Sequence, residues 1–135
     1  MIKALIDTNV VLDALAGREP FRAEAERMFI LAAEEKFQGF ITANSISDIY
    51  YLCRKNASEA AAREALRNLL QVFAVVDISG KDCESALESA IDDFEDALVA
   101  VCASKIDADY IITRDEGFLQ AQSPVPLVAP AGFLR

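Results

Sequence analysis

Lys3-Ala4-Leu5-Ile6-Asp7-Thr8-Asn9-Val10 passes from a short apolar run into three polar residues and then into a helical pattern that begins at Val10. A run as short as Ala4-Leu5-Ile6, with no polar residue inside it, reads as a central strand buried on both faces. In open α/β sheets, ligands bind just outside the carboxyl ends of the strands. Asp7 stands at that point, so the question for the rest of the chain is whether other carboxylates arrive beside it.

Working outward, Val10–Leu15 forms a first helix that ends near Gly17, and Pro20 suits the first turn of the next. Ala25, Phe29, Ala32 and Ala33 recur at helical spacing between Phe21 and Glu35, and Phe37–Thr42 follows as a second strand. Asn44-Ser45 opens a third helix striped by Ile46, Ile49, Tyr50 and Cys53; Ser58 caps a fourth, Glu59–Leu70. Val72–Val76, rich in β-branched residues, is a third strand. Helices are expected from Ser79 to Ala90 and from Asp92-Asp93 to Ile106, then a fourth strand at Tyr110–Thr113 and an edge strand at Val125–Val128, where Pro126 is tolerated. Strands alternating with helices predict one α/β domain over residues 1–135, three layers deep (α/β/α), around a parallel sheet of four or five strands.

The composition bounds the function. Of 135 residues, 53% are hydrophobic and 26% charged, which excludes a disordered chain. No apolar run approaches the roughly 18–20 residues of a membrane span, and Asp7 interrupts the apolar core that a signal peptide needs. Cys53, Cys83 and Cys102 are odd in number and widely spaced, as in a reducing compartment. A soluble cytoplasmic protein is expected. Its net charge of −9 points to a basic protein partner, bound cations or simple solubility before it points to nucleic acid. The absence of histidine removes the commonest general base, the Ser–His and Cys–His pairs and the usual zinc ligands.

Four acids are expected at one edge of the sheet. Asp7 follows the first strand, Asp48 lies in the first turn after the second, Asp96 opens the sixth helix and Asp115 follows the fourth strand. Each has a plain explanation as a helix cap: Ser45-Ile46-Ser47-Asp48 and Asp93-Phe94-Glu95-Asp96 both resemble capping boxes. In a parallel sheet, however, all such strand ends lie on one edge. Carboxylates held together repel, and divalent cations relieve the repulsion. Two such ions would bring the formal charge from −9 to about −5, and a pair can hydrolyse a phosphodiester without histidine.

At these residues the chain resembles the PIN domain family of metal-dependent ribonucleases, and within it the VapC-like toxins of toxin–antitoxin pairs. The resemblance rests on Leu5-Ile6-Asp7-Thr8-Asn9, Asn44–Leu52 with Asp48, Asp93-Phe94-Glu95-Asp96-Ala97-Leu98 and Ile112–Phe118 with Asp115. It implies a metal-binding and catalytic quartet of Asp7, Asp48, Asp96 and Asp115, with Asp93 within reach of a second ion. Thr8 or Thr113 would bond a ligand or bound water, and Asn9 would fix the loop. Many members carry Glu where this chain has Asp48, so that acid would act through water. The resemblance further implies two Mg²⁺ or Mn²⁺ ions, an RNA substrate, a small basic antitoxin and a homodimer.

Other residues have weaker claims. Arg114 can hold a scissile phosphate and Arg18 and Arg22 can flank an RNA groove, but solvated surface arginines read the same way. Tyr50, Tyr51 and Phe118 are expected to pack in the core rather than stack on bases, and Asp13, Glu116, Glu34 and Glu35 to face water. Two other readings stay open. One is a Mg²⁺-binding phospho-acceptor domain using Asp77 after the third strand, although no Lys follows the fourth; the other is the same fold as a catalytically silent binding module.

Overall fold

The computed structural model describes all 135 residues. Its elements in chain order are β1 (Lys3–Ile6), α1 (Thr8–Leu15), α2 (Arg22–Ala33), β2 (Gln38–Thr42), α3 (Ala43–Asn56), α4 (Glu59–Val72), β3 (Ala74–Val76), α5 (Gly80–Leu87), α6 (Phe94–Lys105), β4 (Tyr110–Ile112), α7 (Glu116–Leu119), β5 (Leu127–Val128) and α8 (Pro130–Phe133). The five strands form one sheet in the order β3-β2-β1-β4-β5, and every pairing is parallel. The expected three-layer α/β architecture with its parallel sheet is present.

Residue alternation in the strands shows why both faces are covered. Ala4 and Ile6 of β1 join a cluster with Val10, Val11, Met28, Ile41 and Ile49 beneath α1–α4. Leu5, between them, joins Ala97, Ala100, Cys102 and Phe118 beneath α5–α7. Ile111 and Ile112 of β4 divide in the same way. A strand with period-two side chains and no polar position must be covered on both sides. On the second face α6 buries Ala97, Leu98, Val99, Ala100, Cys102 and Ala103, mostly small residues that let the helix lie close to the sheet.

Several boundaries differ from the sequence reading. Helix α1 starts at Thr8 rather than Val10, because the Asp7 carboxylate accepts from the Thr8 N–H and caps the helix there. Pro20 stands ahead of α2, whose N-cap is Phe21. Helix α4 runs on through Val72, since Val72 continues the inner stripe of Leu66 and Leu69; β3 is correspondingly shorter. Helix α5 stops at Leu87, and α6 starts at Phe94 because Asp93 remains extended as its cap. The short helices α7 and α8 fall in stretches where neither was expected. No helix is long and apolar enough to cross a membrane. The three cysteines are free thiols, Cys102 buried and the other two half-buried.

Candidate active site

Asp7 is the best-anchored acid at the carboxyl edge of the sheet. Its backbone N–H donates to Ile112 O at 2.9 Å, which ties the end of β1 to β4. One carboxylate oxygen, Oδ1, accepts from the Thr8 N–H at 2.8 Å; the other, Oδ2, accepts from the Thr113 hydroxyl at 2.8 Å and from Asn9 Nδ2 at 3.3 Å. Thr113 is fully buried and fully used, since its oxygen also accepts from Asn9 Nδ2 and from the Asp115 N–H at 3.2 Å. Burial nevertheless raises the Asp7 carboxyl above the ordinary carboxylate range, against the lowering effect of Thr113 and Thr8, and the charges of Asp115 and Glu95 add to the rise.

A chain of hydroxyls links this corner to α3. Thr42 Oγ1 donates to Asn44 Oδ1 at 2.6 Å. A hydroxyl has one proton, so the 2.9 Å contact between Thr42 and Ser45 must carry the Ser45 proton. The 2.5 Å contact between Ser45 and Thr8 then carries the Thr8 proton. Thr8 therefore offers only lone pairs to the cleft, suited to accept from a bound water. Ser45 is not the cap of α3, as expected from sequence: the N-cap is Thr42, and Ser45 is buried inside the first turn. That moves Asp48 into the second turn, exposed, where a capping role no longer explains it.

The remaining acids arrive from the other side. Asp93 Oδ1 caps α6 by accepting from the Asp96 N–H at 3.0 Å. Asp115 Oδ1 caps α7 by accepting from the Gly117 N–H at 2.9 Å and the Phe118 N–H at 3.4 Å. Each cap occupies a single oxygen, so capping and ligand binding are compatible for both residues. Asp96, three residues beyond its cap, is pushed up to about 7, first by burial and then by the charges of Asp93, Asp7, Asp115 and Glu95. Together with Thr8, Asn9, Asp48, Arg18 and Glu95, these acids line one cleft of about 320 Å³. Glu95 was not singled out from the sequence, though its place between Phe94 and Asp96 was a usable signal.

Arg114 and Asp13 depart from expectation together. Asp13 does not face water: it is 1% exposed, and Arg114 grips it through Nε and, at 3.0 Å, through Nη2. The Arg114 guanidinium also lies 4.0 Å from the centre of the Phe21 ring. Arg114 is thus a brace between the β4–α7 turn, α1 and the start of α2. The sequence held a clue, because Asp13 lies three residues after buried Val10 on an apolar helix and an inward acid needs a cation. Arg22 pairs with Glu26 at 2.7 Å on an exposed face, outside the cleft. Phe118 is core as expected, but Tyr51 is 61% exposed on the outer face of α3. Glu34, Glu35 and Glu116 do face water.

The donors of the cleft are carboxylates, hydroxyls and an amide, all hard oxygen ligands of the kind Mg²⁺ and Mn²⁺ take. No three acids converge closely enough to chelate an ion directly, an arrangement that fits an ion keeping several waters. Asn9 Oδ1 is buried without a donor, an acceptor left for a water or a cation.

The sequence matches the PIN domain family over residues 3–117. The chain belongs to the PIN domain family. No curated protein matches it. Among solved structures, this PIN domain is similar to VapBC2 from Rickettsia felis bound to a promoter DNA fragment (17% identity, 95% of this chain and 98% of that one, TM-score 0.69). It is also similar to a toxin–antitoxin complex from Klebsiella pneumoniae (23% identity, 94% and 97%, TM-score 0.69). A third is VapC20 of Mycobacterium tuberculosis, a sarcin–ricin loop cleaving toxin (18% identity, 85% and 92%, TM-score 0.68). At these identities the likeness concerns the fold. Asp77, the acceptor of the phospho-acceptor reading, lies beyond the edge strand β3 and does not line the acidic cleft of this PIN domain.

Proposed function

We propose that this PIN domain is a divalent-metal-dependent endoribonuclease, acting in the cytoplasm as the toxin of a toxin–antitoxin pair. The observation that carries the reading is the meeting of Asp7, Asp96 and Asp115, from the end of β1, from α6 and from the turn after β4, in one cleft, where burial first and the neighbouring acids second push Asp96 up to about 7. Carboxylates gathered in this way repel, and a bound divalent cation relieves the repulsion. Two Mg²⁺ or Mn²⁺ ions bound there would supply an activated water and charge to stabilise the leaving oxygen. Asp7, Asp96 and Asp115 would hold them, in part through bound water, with Asp93 reaching the second and Asp48 acting through water from the α3 wall. Thr113 orients Asp7 and partly offsets the rise that burial gives its carboxyl, and Thr8, its proton directed inward, accepts from water in the cleft.

The family, and the toxin–antitoxin assemblies among the structurally similar proteins, support the toxin reading. An acidic chain of net charge −9 suits a small basic antitoxin, and a homodimer is the assembly proposed for the free toxin. Asp7→Asn and Asp115→Asn are the test. Both are expected to abolish metal-dependent cleavage of RNA while keeping the wild-type circular dichroism spectrum. Full cleavage by both variants would refute the assignment. The antitoxin reading fails if no small basic protein encoded beside the gene binds the purified chain.

A further inference from the structure

We propose that Arg18 is the residue that grips a substrate phosphate at this cleft, and that Arg114, despite standing beside Asp115, does not. The inference rests on the nuclease reading above and names the residue through which RNA is positioned. Six carboxylates line the cleft, and Arg18 is the one basic side chain among them. A polyanion entering so negative a site is oriented by whatever local positive charge it meets.

The two arginines are distinguished by what they already hold. Arg114 donates twice to Asp13, packs on Phe21 and does not line the cleft. The fork of its guanidinium is therefore occupied. Arg18 instead stands 4.0 Å from the same carboxylate, an ion pair beyond hydrogen-bond distance. The Arg18 side chain is 39% exposed, and its donors remain open for the bidentate geometry that phosphate prefers.

The backbone, by contrast, is fixed. Gly17, at φ +64°, takes the left-handed conformation that turns the chain back after α1. The Arg18 N–H then donates to Asp13 O at 3.0 Å, and Arg18 O accepts from the Phe21 N–H at 3.0 Å. A held backbone that carries a guanidinium free of side-chain hydrogen bonds along an acidic cleft is a binding device, whereas a solvated arginine needs neither.

The test is the salt dependence of binding of a mixed-sequence single-stranded RNA oligonucleotide, read by fluorescence anisotropy with Ca²⁺ in place of Mg²⁺. Each phosphate contact on a single strand contributes about 0.7 to the slope of log affinity against log salt. Arg18→Gln is expected to lose about that much slope and to bind several-fold more weakly at low salt, while Arg18→Lys keeps the slope. Arg114→Gln, or the milder Arg114→Lys, is expected to keep the wild-type slope and to melt at a lower temperature. A wild-type slope in Arg18→Gln, or an equal loss in the Arg114 variants, overturns the proposal. A wild-type chain that neither binds this RNA nor cleaves an RNA pool with Mn²⁺ overturns the nuclease reading itself.

Discussion

Thr113 shows how much of the site rests on one hydroxyl. It donates to Asp7 and accepts from Asn9 and the Asp115 backbone, so it sets the orientation of one acid and the turn that carries another. Thr113→Val keeps the shape and removes all three bonds. Leaving buried polar groups unpaired costs about 1–3 kcal/mol each, and losing the partner of a metal-binding carboxylate lowers activity about 10–100-fold. Denaturant unfolding and cleavage rates should both fall accordingly, with Thr113→Ser close to wild type; a Thr113→Val variant with wild-type stability and rate would contradict this. At this scale the sequence pointed to the acids and, through the family resemblance, to Thr8, Asn9 and Thr113 beside them, but not to the bonds by which Thr113 and Asn9 hold Asp7. Asp7 and Asp115 could be placed because strand ends share one edge of a parallel sheet, and Asp96 because its helix start resembles the family's acidic motif. The hydroxyl chain through Thr8, Ser45 and Thr42 crosses 37 positions between Thr8 and Ser45, and spacing carries no record of that.

Among the elements, the junction of α4 and β3 is where local pattern misled. Val72–Val76 has the composition of a strand, yet tertiary packing carries the helix to Val72 and turns Phe73 inward, edge-on to Phe29 with ring centres 5.0 Å apart. Gly39 on β2 makes room for that ring: a Cβ there would lie 2.4 Å from Phe73 Cδ1. Gly39→Ala is therefore expected to destabilise by about 1–3 kcal/mol, the usual cost of overpacking a core. Denaturant unfolding measures it, and Phe73→Leu in the same background should recover part of the loss. No loss of stability in Gly39→Ala would show that the Phe73 ring moves aside freely. The start of α3 was misplaced for a related reason, since Ser45 looks like a cap in sequence but its hydroxyl is engaged by Thr42 and Thr8.

Over the whole molecule, the layer order was legible because Ala4-Leu5-Ile6 of β1 and Ile111-Ile112 of β4 are unbroken apolar runs, and only a sheet covered on both faces buries them. The acidity became interpretable once the cleft was built. Asp96 at about 7 and the raised Asp7 favour their protonated forms in the fold. A carboxyl whose folded pKa lies above its unfolded value contributes stability that is complete below about pH 4 and is lost as pH rises through the folded value. Asp82, held low by the Lys105 ammonium, acts in the opposite sense, but only as pH falls below the ordinary carboxylate range. Metal-free protein should therefore melt at a lower temperature near pH 8 than near pH 5.5, and Mg²⁺ should close the gap by binding the ionised acids. A melting temperature in EDTA that is flat or rises over that window would contradict the crowding of the acids.

The measurement that bears most directly on the central claim is cleavage of a mixed tRNA and mRNA pool by the purified chain, with Mn²⁺, with Mg²⁺ and with EDTA. Asp96→Asn, purified identically, is the control. Discrete fragments that require the metal and vanish in Asp96→Asn are the predicted result. Cleavage that persists in EDTA or in Asp96→Asn, or no cleavage under any metal, would contradict the account of Asp7, Asp96 and Asp115 as a metal-dependent nuclease centre.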